Sequence, residues 1–178
     1  MLQPPSYNEV MRSFVFALLL TLPLIGANQT GRRAPSFALP DSQMKYHDIL
    51  DYRGKVLIIE FMQTNCPHCL ETAKMLEQVK AKYRDRISIL QVVNPPDTLQ
   101  TVASFVARTK ATSPFVFDSG QVTASYVMAS AQNPSVDVPQ LFIIDPQGII
   151  RANYEGEAAS LLNVDKLSPV IDKAMTGK

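Results

Sequence analysis

The chain has no tryptophan, two cysteines and two histidines in 178 residues. Two cysteines cannot build a multi-disulfide scaffold and are too few for a thiolate-only zinc site. A strong charge bias is also missing. Seventeen Lys and Arg face 16 Asp and Glu, for a formal net charge of +1. A protein that binds by neutralising phosphates needs a clearer basic excess, so nucleic acid is not an expected partner. Glycine (7) and proline (13) fit neither a collagen-like nor a low-complexity chain, and no solenoid-type repeat occurs. What remains is a globular composition at a length that suits one domain with an appendage.

Long apolar runs are scarce too. Residues 13–27 (SFVFALLLTLPLIGA) are uncharged, but they fall short of the ~20 apolar residues of a spanning helix. Their length fits a secretory h-region, with Pro23 and small residues leading to a cleavage site after Ala27. Ile25 is a poor small-residue match there, so an uncleaved anchor is the alternative. Residues 1–27 are therefore expected to be a signal peptide or an N-terminal membrane anchor, and the protein to be exported. Glu9 offsets Arg12 ahead of the run, whereas a start at Met11 would give an ordinary Met-Arg-Ser n-region. Residues 28–35 (NQTGRRAP) are polar and are expected to be a linker carrying solvated Arg32 and Arg33. Residues 36–178 form the domain.

Within the domain, Val56–Met62 (VLIIEFM) and Ile87–Val93 (ISILQVV) have the apolar character of buried strands. Leu70, Ala73, Leu76, Val79 and Tyr83 recur at helical spacing from Pro67 to Tyr83, with Glu71, Lys74, Glu77 and Lys80 on the other face. Pro67 suits the first helical position. A helix capped by Asp97 or Thr98 runs to about Lys110. A short strand at Phe115–Phe117 and a helix at Val122–Met128 follow. Gln140–Asp145 and Ile149–Tyr154 flank a Pro146-Gln147-Gly148 turn. Val164–Met175 is a terminal helix. Ser36–Leu39 and Tyr46–Leu50 form an added hairpin or turn. This order predicts an α/β fold with the sheet covered on both faces.

The two cysteines are Cys66 and Cys69, with Pro67 and His68 between them. Such a pair closes almost no chain, so it is a poor staple; its spacing suits reversible redox chemistry. Cys66 falls where the helix begins, near unpaired N–H groups and the positive end of the macrodipole, which favours the reactive thiolate. Lowering a thiol pKa from about 8.5 to about 7 takes ~2 kcal/mol, and a helix end supplies ~0.3–1 kcal/mol. Backbone N–H groups or a protonated His68 must supply the rest. Cys66 is the expected nucleophile and Cys69, one turn on and more buried, the resolving thiol. Glu60 is the one carboxylate in an apolar strand that leads to Cys66. It is costly there unless paired or protonated, and it is the candidate proton partner of Cys69. An edge strand with Glu60 facing water is the bland alternative. Pro139, after Val138, either starts the QLFIID strand or is a cis proline facing the thiols.

These residues resemble the thioredoxin superfamily, and within it the exported TlpA/ResA-like thiol–disulfide oxidoreductases. The similarity runs from about Ala34 to the end, through APSFALPD, GKVLIIEFMQTNCPHC, PFVFDSGQVTASY and VPQLFIIDPQGIIRANYEG. It implies a thioredoxin-like fold: a central mixed sheet, helices on both faces and an N-terminal strand or hairpin extension. It implies a redox disulfide between Cys66 and Cys69. It implies a cis Pro139 packed against that disulfide and a Val138 backbone that pairs with substrate, with Pro67 also at the substrate surface. Glu60, six residues before Cys66, matches the family's buried acid. No cofactor or metal is implied. Protein thiols and disulfides are the implied substrates of a monomer with a membrane or exported redox partner, in the periplasm or at the outer membrane face. Pro67-His68 resembles the oxidising DsbA branch, and the flanks resemble the often reducing TlpA/ResA branch. Asn65 replaces a usual tryptophan, Thr72 a usual glutamate, and 128–137 (MASAQNPSVD) is an insert near the proline.

Two other classes fit parts of the pattern. A copper-binding assembly factor would use Cys66, Cys69 and a histidine, since thiolates suit Cu(I); related copper proteins space the cysteines one residue wider. A peroxiredoxin-like peroxidase would use a Thr-x-x-Cys, but from Thr64 that spacing lands on Pro67. His47 is expected to be a surface or packing residue, and Met62 and Met75 core filler.

Overall fold

The computed structural model describes residues 30–131 and 136–177. The expected signal peptide or anchor, the two candidate start positions and the centre of the 128–137 insert lie outside the described residues. Among the described residues, no helix is long and apolar enough to cross a membrane.

A hairpin of β1 (Ala38–Pro40) and β2 (Tyr46–Asp48) precedes the main sheet. The sheet contains β3 (Val56–Met62), β4 (Ile87–Val93), β5 (Phe115–Phe117), β6 (Gln140–Ile144) and β7 (Ile150–Glu155). Its order is β5-β4-β3-β6-β7. β3, β4 and β5 are mutually parallel, and β6 and β7 run antiparallel to their neighbours. The helices are α1 (Pro67–Tyr83), α2 (Leu99–Thr109), α3 (Gln121–Val127), α4 (Gly156–Ser160) and α5 (Val164–Met175). This is the thioredoxin-like mixed sheet that the resemblance implied.

Side chains alternate across β3, so its two faces feed different cores. Val56 and Ile58 pack with Leu76 and Val79 of α1 and Leu167 and Ile171 of α5. Met62, on the same face, packs with Cys69, Ala73 and Phe105 of α2. Leu57, Ile59 and Phe61 face the other way, onto Phe37, Ile49, Tyr126 of α3 and Phe142. There the Phe61, Tyr126 and Phe142 rings meet at centroid distances of 5.0–5.8 Å.

The expectation of a solvated linker needs correction. Arg32 is not a free linker charge: its guanidinium donates to the carbonyls of Ser125 and Tyr126 and lies 6.0 Å from the Tyr126 ring. Gly31 and Ala34 donate to Ile150 and Gly148, so this stretch is laced onto the β6–β7 turn. The α2 cap is Thr98, in a reciprocal capping box with Thr101, which frees Asp97 for another contact. α4 was not foreseen, because five residues are too few for a periodic signal. In the β6–β7 turn, Gly148 has φ +79°, and a Cβ there would meet the Arg53 guanidinium at 2.2 Å.

Candidate active site

α1 begins at Pro67, whose missing N–H costs nothing at that position. Cys66 is the N-cap, half-buried, and its Sγ accepts from the Cys69 N–H at 3.2 Å. A backbone donor at the helix end thus reaches the sulfur, as the thiolate argument requires. The Cys66 thiol also lies 3.6 Å from the Val138 carbonyl oxygen. The Val138–Pro139 bond is cis, and Val138 packs against the cluster that holds both cysteines. Both cysteines are free thiols in this structure.

Cys69 is fully buried. Burial pushes its thiol well above the ordinary range, and the hydrogen bond with Cys66 and the Glu60 charge add to that. Glu60 is likewise 0% exposed, and desolvation raises its carboxyl well above the usual carboxylate value. The edge-strand alternative is excluded, since β3 is flanked by β4 and β6. Burial therefore makes the ionised form of Glu60 costly beside Cys69.

His68 is exposed on the first turn of α1. Its ring makes no hydrogen bond to Cys66, so backbone N–H donation is the stabilisation that geometry provides. His68, Cys66 and Pro67 line one side of a groove of about 690 Å³; Gln100, Ser104 and Arg108 of α2 line the other. His47 is a packing residue, bonded to Tyr52 Oη at 2.8 Å and Asp41 at 3.0 Å. Among the described residues no third His, Cys, Asp or Glu joins Cys66 and Cys69 in a ligand cluster.

Sequence reasoning missed the braces behind these groups. Asp97 accepts from the Thr64 N–H at 2.9 Å and from its hydroxyl. Arg108 donates to the Thr64 carbonyl at 3.1 Å. Together they fasten the loop two residues before Cys66 to α2. The Pro139 carbonyl accepts from Gly156 N–H of α4 at 2.8 Å, which fixes the proline loop from below. No pattern in the sequence marks these contacts, because each joins segments 17 to 44 residues apart.

A thioredoxin-like sheet with a Cys-x-x-Cys helix start opposite a cis proline defines the class: a thioredoxin-superfamily protein with a dithiol site. Residues 30–153 match the AhpC/TSA family, and the chain belongs to that family. It is similar to the thiol-disulfide oxidoreductase ResA of Geobacillus thermodenitrificans, at 28% identity over 160 residues, covering 83% of this chain and 87% of that one. It is 24% identical over 130 residues to the thioredoxin-like protein YneN of Bacillus subtilis, covering 72% of each. In fold it is similar to a thiol:disulfide interchange protein of Chlorobium tepidum, with a TM-score of 0.68 at 17% identity, covering 80% of this chain and 94% of that one.

Proposed function

We propose that this protein, a thiol:disulfide oxidoreductase of the thioredoxin-like ResA type, exchanges disulfides with exported protein partners as a monomer. The observation that carries the reading is Cys66 Sγ at the start of α1, taking the Cys69 N–H and standing 3.6 Å from the Val138 carbonyl beside cis Pro139. Cys66 is the more accessible of the two sulfurs. Its thiolate attacks a partner disulfide, the partner S–S bond breaks and one partner thiolate leaves, and Cys66 is joined in a mixed disulfide to the other partner cysteine, whose chain lies along Val138. Once the Glu60 carboxyl has released its own proton to water, the carboxylate takes the proton of Cys69, and the Cys69 thiolate attacks Cys66; the partner sulfur leaves as a thiolate and takes a proton from water. Two electrons pass from this dithiol to the partner, and the reverse sequence oxidises the partner. Pro67 and His68 border the groove where the partner chain lies. Export rests on the 13–27 segment, which serves as signal peptide or anchor.

The test is capture of partners by Cys69→Ser in cells. The reading expects exported proteins in mixed disulfide with Cys66; recovery of none counts against it. The AhpC/TSA match favours one second reading, a peroxidase. Peroxide consumption with a supplied dithiol reductant would support it, and the absence of consumption removes it.

A further inference from the structure

β3 (VLIIEFM) and β4 (ISILQVV) pair in parallel with Val56 against Ile87, so the fifth residues, Glu60 and Gln91, are direct neighbours. Both are 0% exposed. Both lie on the sheet face that α1 covers, by alternation with Ile58 and Ile89. Neither carboxyl oxygen of Glu60 and neither polar atom of the Gln91 side chain has a hydrogen-bond partner. A buried unpaired polar group is destabilising, and apolar residues at both positions would avoid that cost. On its own face Gln91 is flanked by Ile89 and Val93, with Phe115 across on β5. Glu60 is the polar neighbour that register gives it.

We propose that Gln91 is a positioning residue that holds the Glu60 carboxyl for proton exchange with Cys69. The proposal rests on the exchange mechanism above and adds a partner to its proton acceptor. A carboxamide serves both states of an acid. The two side chains are not bonded to each other in this structure, but a side-chain rotation would let the neutral acid donate its O–H to Gln91 Oε1, and the carboxylate accept from Nε2–H. The neutral acid first gives its proton to water; the carboxylate then takes the proton of Cys69, and the new thiolate forms the Cys66–Cys69 bond while the partner thiolate leaves. In the reverse direction Glu60 returns the proton to Cys69. Gln91 gains and loses none, and water is the only other proton carrier: it takes the proton that Glu60 first releases and supplies the one that the departing partner thiolate takes up. The other groups facing this site are few. α1 contributes Cys69 and, beyond it, Cys66. β6 contributes Leu141, and across it β7 contributes Tyr154 on the same face. The charged residues of α5 (Asp165, Lys166, Asp172, Lys173) are exposed.

The test separates the two thiol steps. Reduced protein is mixed with one equivalent of dithiobis(nitrobenzoate). Attack by Cys66 releases one coloured thiolate, and attack by Cys69 on the resulting mixed disulfide releases the second. In Gln91→Met the ratio of second to first rate should fall about tenfold near neutral pH, and the inflection of the second step should rise by about one pH unit. In a Glu60→Gln background, Gln91→Met should change nothing further. In the unaltered protein, which needs no variant to fold, the Gln91 side-chain amide nitrogen resonance should shift with that same inflection. An unchanged profile, an equal effect in both backgrounds or a flat amide resonance would overturn the proposal. A missing second release from the unaltered protein would instead overturn the exchange mechanism and, with it, this role.

Discussion

The two faces of β3 are built to different standards. Phe61 points into a ring cluster of Tyr126, Phe142 and Phe37, where the one polar atom brought in, Tyr126 Oη, donates to the Pro35 carbonyl at 3.0 Å. One residue earlier, Glu60 points to the α1 face and carries two oxygens without a partner. Both positions are 0% exposed on one strand. The difference teaches that polar cost is confined to the face behind the cysteines. One face makes stability; the other gives some up to keep a titratable group beside Cys69.

That contrast can be broken at its ends. Cys66→Ser should abolish mixed-disulfide formation altogether, read as no trapped species with any disulfide probe, while Cys69→Ser should accumulate it. Phe61→Ala should cost about 3–5 kcal/mol in denaturant unfolding and leave the couple intact in the folded fraction. Glu60→Gln should do the reverse. It should slow the Cys69 step by about a hundredfold and leave the fold more stable at neutral pH. The sign follows from linkage: the folded carboxyl holds its proton more tightly than the unfolded one. Stability is therefore full below the ordinary carboxylate value and falls as pH rises toward the raised folded value. Unfolding free energy measured from pH 4 upward should decline in the parent and decline less in Glu60→Gln.

Smaller effects sharpen the picture around the site. Asp97→Ala unties Thr64 and should cost about 2 kcal/mol, in line with hydrogen bonds to a charged group, with a faster amide exchange at Thr64 and Cys66. Arg32→Ala removes contacts to two carbonyls and a ring face and should cost about 1 kcal/mol on thermal unfolding, with no change in the thiol steps.

Much of this frame was legible from hydropathy alone. VLIIEFM, ISILQVV and the Pro67–Tyr83 repeat have the bounds that the structure gives them, because buried strands and a long amphipathic helix leave strong periodic signals. The positions of Cys66 at a helix start and of cis Pro139 beside it were likewise expected, the second from resemblance rather than from spacing. The pairing of Glu60 with Gln91 went unread, although each is fifth in a seven-residue strand; parallel register was the missing fact. Of the two candidate caps, Thr98 caps the helix and Asp97 reaches across to Thr64, a choice made by tertiary distance. His68 looked like the thiolate's partner, but it is exposed on the first turn and makes no hydrogen bond to Cys66.

The central claim is that Cys66 and Cys69 form one reversible redox couple. Equilibrating the protein in graded dithiol–disulfide buffers and counting free thiols tests it most directly. The account predicts a single two-electron transition that disappears in Cys66→Ser; a midpoint near about −120 mV marks an oxidant, and one near about −270 mV or below a reductant. Two cysteines that remain free thiols across the whole range would contradict it.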